Sequence, residues 1–89
     1  MKAVITVIGK DRVGIIACLS RIIADHSVNI LDISQTIMQD VFTMIMMVDT
    51  SNMSSDLTEL KDKLDAKGKE LDLTVRLQHV DIFNSMHRI

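Results

Sequence analysis

The sequence predicts an α+β sandwich: one four-stranded antiparallel sheet, two helices on a single face, and a short C-terminal tail. Two observations predict it. Apolar residues recur with the period of two that marks a strand in four segments, and with helical spacing in two others. These segments follow one another in the order βαββαβ. The 89 residues suffice for one domain and no more. With 47% hydrophobic residues, the chain has more apolar material than so small a core needs, so some of it is expected to face a partner.

Residues 2–8 read as the first strand, rich in Val, Ile and Thr, and Gly9 as its breaker. A helix over 12–26 follows, with Asp11 a candidate N-cap because its carboxylate can accept orphan amides of the first turn. Val13, Ile16, Ala17, Ser20, Ile23 and Ala24 share one helical face, and Ile15, Leu19 and Ile22 form an apolar row beside it. Residues 28–38 and 41–49 read as strands joined by a hairpin at Gln39-Asp40. In the second of them Phe42, Met44, Met46 and Val48 point one way and Val41, Ile45 and Met47 the other, so both faces are apolar. After the loop 50–55, a helix over roughly 56–67 carries Leu57, Leu60 and Leu64 inward and a mixed charged face outward, with Gly68 as its stop. Residues 71–80 alternate as the last strand, Leu71, Leu73, Val75 and Leu77 inward. Asp81 can cap a final segment in which Ile82, Phe83, Met86 and Ile89 share a helical face. Two strand–helix–strand units sharing one antiparallel sheet make the ferredoxin-like split βαβ fold.

The composition narrows the chemistry. A net charge of −2, with acids and bases interspersed, offers no basic stripe for nucleic acid. Trp and Tyr are absent and Phe occurs twice, too few for a base-stacking sheet. Cys18 is a lone cysteine in an apolar helical run, which reads as an inert buried thiol in a reducing compartment. His26, His79 and His87 show no metal-ligand spacing, so neither a metal nor another cofactor is expected. No signal peptide or membrane span is legible, and the expected location is cytoplasmic. An acyl-phosphate hydrolase of this topology would need an Arg cradle and a positioning Asn. Arg12 and Asn29 offer those residue types, but Asp11 would repel the phosphate, and the chain reads as no enzyme.

The stretch Gly9-Lys10-Asp11-Arg12-Val13-Gly14-Ile15, then Val28-Asn29-Ile30-Leu31-Asp32-Ile33, then Phe42-Thr43-Met44, resembles the ACT domain pattern over residues 1–80. Residues 81–89 form a C-terminal extension similar to that of a small group of stand-alone ACT proteins, related to the two-domain repressor-type regulators of glycine cleavage. The resemblance implies that such domains join sheets or edges side by side as a homodimer or tetramer. It also implies an amino acid at the interface, held by the first strand-to-helix turn and the start of the second strand. Carried onto this chain, the contacts are Gly9, Asp11, Arg12, Gly14 and Ile15, with Asn29, Ile30 and Leu31 from the same or a facing subunit.

The physics of that corner agrees. The helix start presents orphan N–H groups and partial positive charge toward a carboxylate, Asn29 can accept from an ammonium and donate to a carboxylate, and Gly14 admits close approach. Each residue also has a plainer reading: Asp11 as cap, Gly9 and Gly14 as turn geometry, Asn29 as a left-handed turn residue or strand cap, Arg12 as surface. The expected function is a non-catalytic regulatory module that binds an amino acid and couples this to a client protein. The alternative is a ligand-free homo-oligomerisation or protein-interaction module.

Overall fold

The structure, a computed structural model, describes residues 2–80; the predicted tail capped by Asp81 lies outside them. The elements are β1 (Lys2–Lys10), α1 (Ile15–Asp25), β2 (Asn29–Met38), β3 (Val41–Asp49), α2 (Leu57–Leu71) and β4 (Leu73–His79). The sheet order is β2-β3-β1-β4 with every neighbouring pair antiparallel, which is the predicted ferredoxin-like sandwich.

The period-two pattern sets the core. Ala3, Ile5 and Val7 of β1 and Phe42, Met44, Met46 and Val48 of β3 are buried on one face. Ile15, Leu19 and Ile23 of α1 and Leu60 and Leu64 of α2 close over them. Each of these side chains larger than Ala3 contributes about 1.5–3 kcal/mol of transfer free energy before the entropy of ordering is subtracted. The opposite face is apolar too, as the alternation requires. There Val4 is buried, while Ile8, Ile45 and Val41 are 46%, 38% and 50% exposed.

Four boundaries differ from the sequence reading. Gly9 does not break β1; it pairs with Phe42 on one side and Leu73 on the other. A Cβ at Gly9 would collide with the Leu73 side chain and sit 3.1 Å from the Asp72 carbonyl oxygen, so glycine serves packing rather than a turn. α1 begins at Ile15, three residues late, because Gly14 takes the left-handed conformation (φ 89°) at the cap position. Asp11 therefore caps nothing: its N–H donates to the Asp40 carbonyl at 2.8 Å and ties the turn to the β2–β3 hairpin. α2 runs on past Gly68, which lies buried inside the helix against Val75, and stops at Asp72 in the left-handed region (φ 60°). Leu71 thus ends a helix instead of opening a strand.

The structure decides which part of the wide apolar stripe of α1 meets the sheet. The row Ile15, Leu19 and Ile23 is buried with Ile22 packed against it, whereas Val13 and Ile16 face solvent. Two apolar rows side by side do not say which one meets the sheet; the late helix start sets the phase. α1 ends at His26, a buried residue whose Nδ1–H donates to the Ile22 carbonyl at 2.8 Å. Its own carbonyl accepts from Ser54 N–H at 2.9 Å, clipping the end of α1 to the loop before α2. The left-handed residue in the α1–β2 turn is Ser27 (φ 59°), not Asn29, which already belongs to β2.

Candidate functional site

The turn 11–14 forms because β1 must leave the sheet and α1 must start above it, and Gly14 alone of these residues reaches the required φ without strain. The first amides of α1 have no acceptor within the helix, no side chain caps them, and the first turn carries no acidic residue. They open onto a hollow of about 190 Å³ lined by Asp11, Arg12, Gly14, Ile15, Ile16, Ala17, Gln35, Ile37 and Phe42. One wall is thus a helix N-terminus, with its partial positive charge. The facing wall is formed by Gln35 and Ile37 of β2 and Phe42 of β3. The arrangement suits a small anion-bearing ligand with little polar surface elsewhere.

Arg12 turns the other way for its hydrogen bond. Its Nη1 donates to the Leu71 carbonyl at 3.2 Å, where a cation meets the negative end of α2. A second hollow, of about 360 Å³, lies on that side between Lys10, Asp11, Arg12, Leu71 and Asp72.

The eight residues taken from the sequence do not form one cluster in a single chain. Asp11, Arg12, Gly14 and Ile15 line the hollow. Gly9 stands behind it in the sheet. Asn29, Ile30 and Leu31 lie at the far end of the domain. The reason is topological. β1 and β2 are each antiparallel to β3 and hence parallel to one another, so the end of β1 and the start of β2 point to opposite ends. Gly9 stands opposite Phe42 and Asn29 opposite Asp49, seven residues apart along β3, or about 23 Å at strand rise. The same-subunit corner expected from the sequence is therefore excluded.

Five lining residues were not among the candidate site residues: Ile16, Ala17, Gln35, Ile37 and Phe42. Gln35 and Ile37 are legible in retrospect, since period-two alternation in 28–38 places them together and they pair with Met44 and Phe42 on the core side. Ile30 is half-buried against the core, and Leu31 is 43% exposed where the β2–β3 ladder shifts register. Cys18, expected to be buried, is half-buried. Of the described residues, no helix is long and apolar enough to cross a membrane.

Comparison with known proteins adds the family. The family model described as ACT domain matches residues 2–78. A UPF0237 protein of Clostridium acetobutylicum is 56% identical over 89 residues, covering all of both chains. An ACT domain protein from Streptococcus pneumoniae superposes with a TM-score of 0.79 at 43% identity, over 93% of each chain. A candidate glycine cleavage system transcriptional repressor matches with a TM-score of 0.76 at 27% identity, over 86% of this chain and 44% of its own. A family model spanning nearly the whole of the chain, and a relative identical at more than half of its positions, together show that this protein belongs to the ACT domain family.

Proposed function

We propose that this chain is a non-catalytic regulatory module that binds one small amino acid in the hollow beside Gly14, as a homo-oligomer whose second copy completes the site. The observation that carries this reading is the uncapped first turn of α1 opening onto a hollow walled by Gln35, Ile37 and Phe42 of the sheet. The amides of Ile15, Ile16 and Ala17 suit a carboxylate, and the Ile37 and Phe42 wall suits a small apolar side chain. Asp11, which lines the same hollow, takes the ammonium in this reading. Asn29, Ile30 and Leu31 stand too far away to join from the same chain and enter from the second copy. The regulation is linkage: a ligand that bridges two copies binds the assembled state better and shifts its population, which a client protein then reads.

The test is thermal unfolding against the twenty amino acids. Free ligand at about a hundred times its dissociation constant adds roughly 2.7 kcal/mol, several degrees in a domain of this size. Gly14→Asp sets a negative charge beside the orphan amides; Asp tolerates φ > 0 better than most residues, and nothing stands within 4 Å of a Cβ there. It is expected to fold and to lose the shift. An unchanged shift in Gly14→Asp removes the hollow as the site. No shift with any amino acid at millimolar concentration favours the ligand-free interaction module, which the exposed Val13, Ile16 and Ile37 would serve.

A further inference from the structure

We infer that residues 81–89 dock on the open face of their own sheet and cover Val4, as a third layer at one end of the sandwich. The inference is independent of the ligand reading, because it concerns the face that neither helix touches.

Both helices close over the face that carries Ala3, Ile5 and Val7. Val4, Thr6 and Ile8 alternate onto the other face. Opposite them stand Met47, Ile45 and Thr43 of β3 and Gln78, Arg76 and Thr74 of β4. This face grades from open to covered. Ile8, Ile45, Arg76 and Thr74 are exposed. Thr6 is half-buried, and so are Met47 and Gln78, the two residues that pair with Val4. Val4 itself is only 1% exposed. Yet Val4 does not belong to the buried cluster that takes in Ala3, Ile5 and Val7.

A side chain on a sheet face with nothing above it shows its upper surface to water, as Ile8 does. Val4 therefore has a cover, and the described residues do not supply a layer there. The loop that leaves β3 at this end turns toward the helices, where Met53 packs on the core and Ser54 N–H donates to the His26 carbonyl. Met47 and Gln78 flank Val4, but they are sheltered with it rather than spread over it into solvent. Met1 falls by alternation on the face of Ala3.

Residues 81–89 satisfy the place and the chemistry. His79 pairs with Ala3, so the chain leaves β4 one strand away from Val4, about 5 Å at the spacing of neighbouring strands. Nine residues reach about 13 Å as a helix and about 30 Å extended, ample in either form. Their apolar members Ile82, Phe83 and Met86 share one side at helical spacing. The short tether gives the segment of the same chain an effective concentration in the millimolar range, which favours it over the segment of a second copy.

Two measurements on the whole protein test this. The chain contains no Trp, so Phe83→Trp reports on the segment alone. Its fluorescence is expected to be shielded from iodide quenching, and to stay shielded on dilution. Quenching as strong as in urea overturns the docking. Shielding that is lost on dilution as the mass falls assigns the cover to a second copy and overturns the own-chain docking. Val4→Cys in a chain carrying Cys18→Ser then locates the contact. Its thiol is expected to react with a maleimide about tenfold faster, or more, once the chain ends at Val80, because the cover over it no longer has to open. Where the shortened chain lacks the far-UV spectrum of the fold, Phe83→Ser in the full chain replaces it. An equal rate with and without the segment overturns the assignment of Val4 as its seat.

Discussion

Gly9, near the end of β1, and Gly14, in the turn that follows, do different work. Gly9 is a packing residue: its missing Cβ is the space that the Leu73 side chain occupies. Gly14 is a conformational residue, with φ 89° and open space where a Cβ would be. Gly9→Ala is therefore expected to cost about 1–3 kcal/mol as an overpacking change, and Gly14→Ala about 1–2 kcal/mol from the left-handed backbone alone. Urea unfolding of both variants separates the causes. The Gly9 cost should fall on shortening Leu73 to Ala in the same chain, measured against Leu73→Ala alone, while the Gly14 cost should be indifferent to it. The sequence shows both glycines as turn signals, because the contact that makes Gly9 different comes from a strand at the other end of the chain. His26 was similarly opaque: a histidine near a helix end gives no sign that it will be buried with Nδ1 on the Ile22 carbonyl.

At the scale of elements, strand periodicity was legible and helix ends were not. The residues facing inward along β3 are those that alternation picks out, and Leu60 and Leu64 of α2 are buried as spaced. Helix termini depend on a few dihedral choices that several residues could make. Asp56, not singled out in the sequence, caps α2 by accepting from Glu59 N–H at 2.8 Å, whereas Asp11, which was, caps nothing. Asp56→Ala should cost about 1 kcal/mol and Asp11→Ala less than about 0.5 kcal/mol, a difference that urea midpoints resolve. The end of β3 carries a pH dependence. Hydrogen bonds from Ser51 Oγ at 2.6 Å and from Ser51 N–H at 3.0 Å hold the Asp49 carboxyl below its ordinary value. A depressed pKa contributes stability that is complete above the ordinary carboxyl value and fades as pH falls through the depressed one. Ser51→Ala should reduce that contribution, so that less stability is lost as pH falls below the ordinary carboxyl value, as urea midpoints measured in acid and at neutral pH would show.

For the molecule as a whole, the element order was enough to give the topology, because connections between adjacent elements are short and a strand–helix–strand crossover has one favoured hand. The same rule, followed one step further, would have shown that β1 and β2 run parallel and that Asn29 cannot meet Gly14 within one chain; proximity of motifs along a sequence is no guide to proximity in a crossover. The single core is unforgiving. Leu19→Ala, at a residue fully buried between helix and sheet, should cost about 2–5 kcal/mol, a large part of the 5–15 kcal/mol that domains possess. Ile33→Lys, by contrast, falls on the exposed sheet margin and should move the urea midpoint by less than about 0.5 kcal/mol equivalent.

The opposite placement of Gly14 and Asn29 has a genetic reading. If each site draws its two halves from different copies, a Gly14→Asp chain still donates an intact strand start, and an Asn29→Ala chain still donates an intact turn. Mixed and allowed to exchange, two inactive variants would rebuild one working site per heterodimer, and half of all dimers would be heterodimers when the two are equal in amount. Two defective alleles in one cell would complement each other, and either allele beside the wild type would act partially dominant.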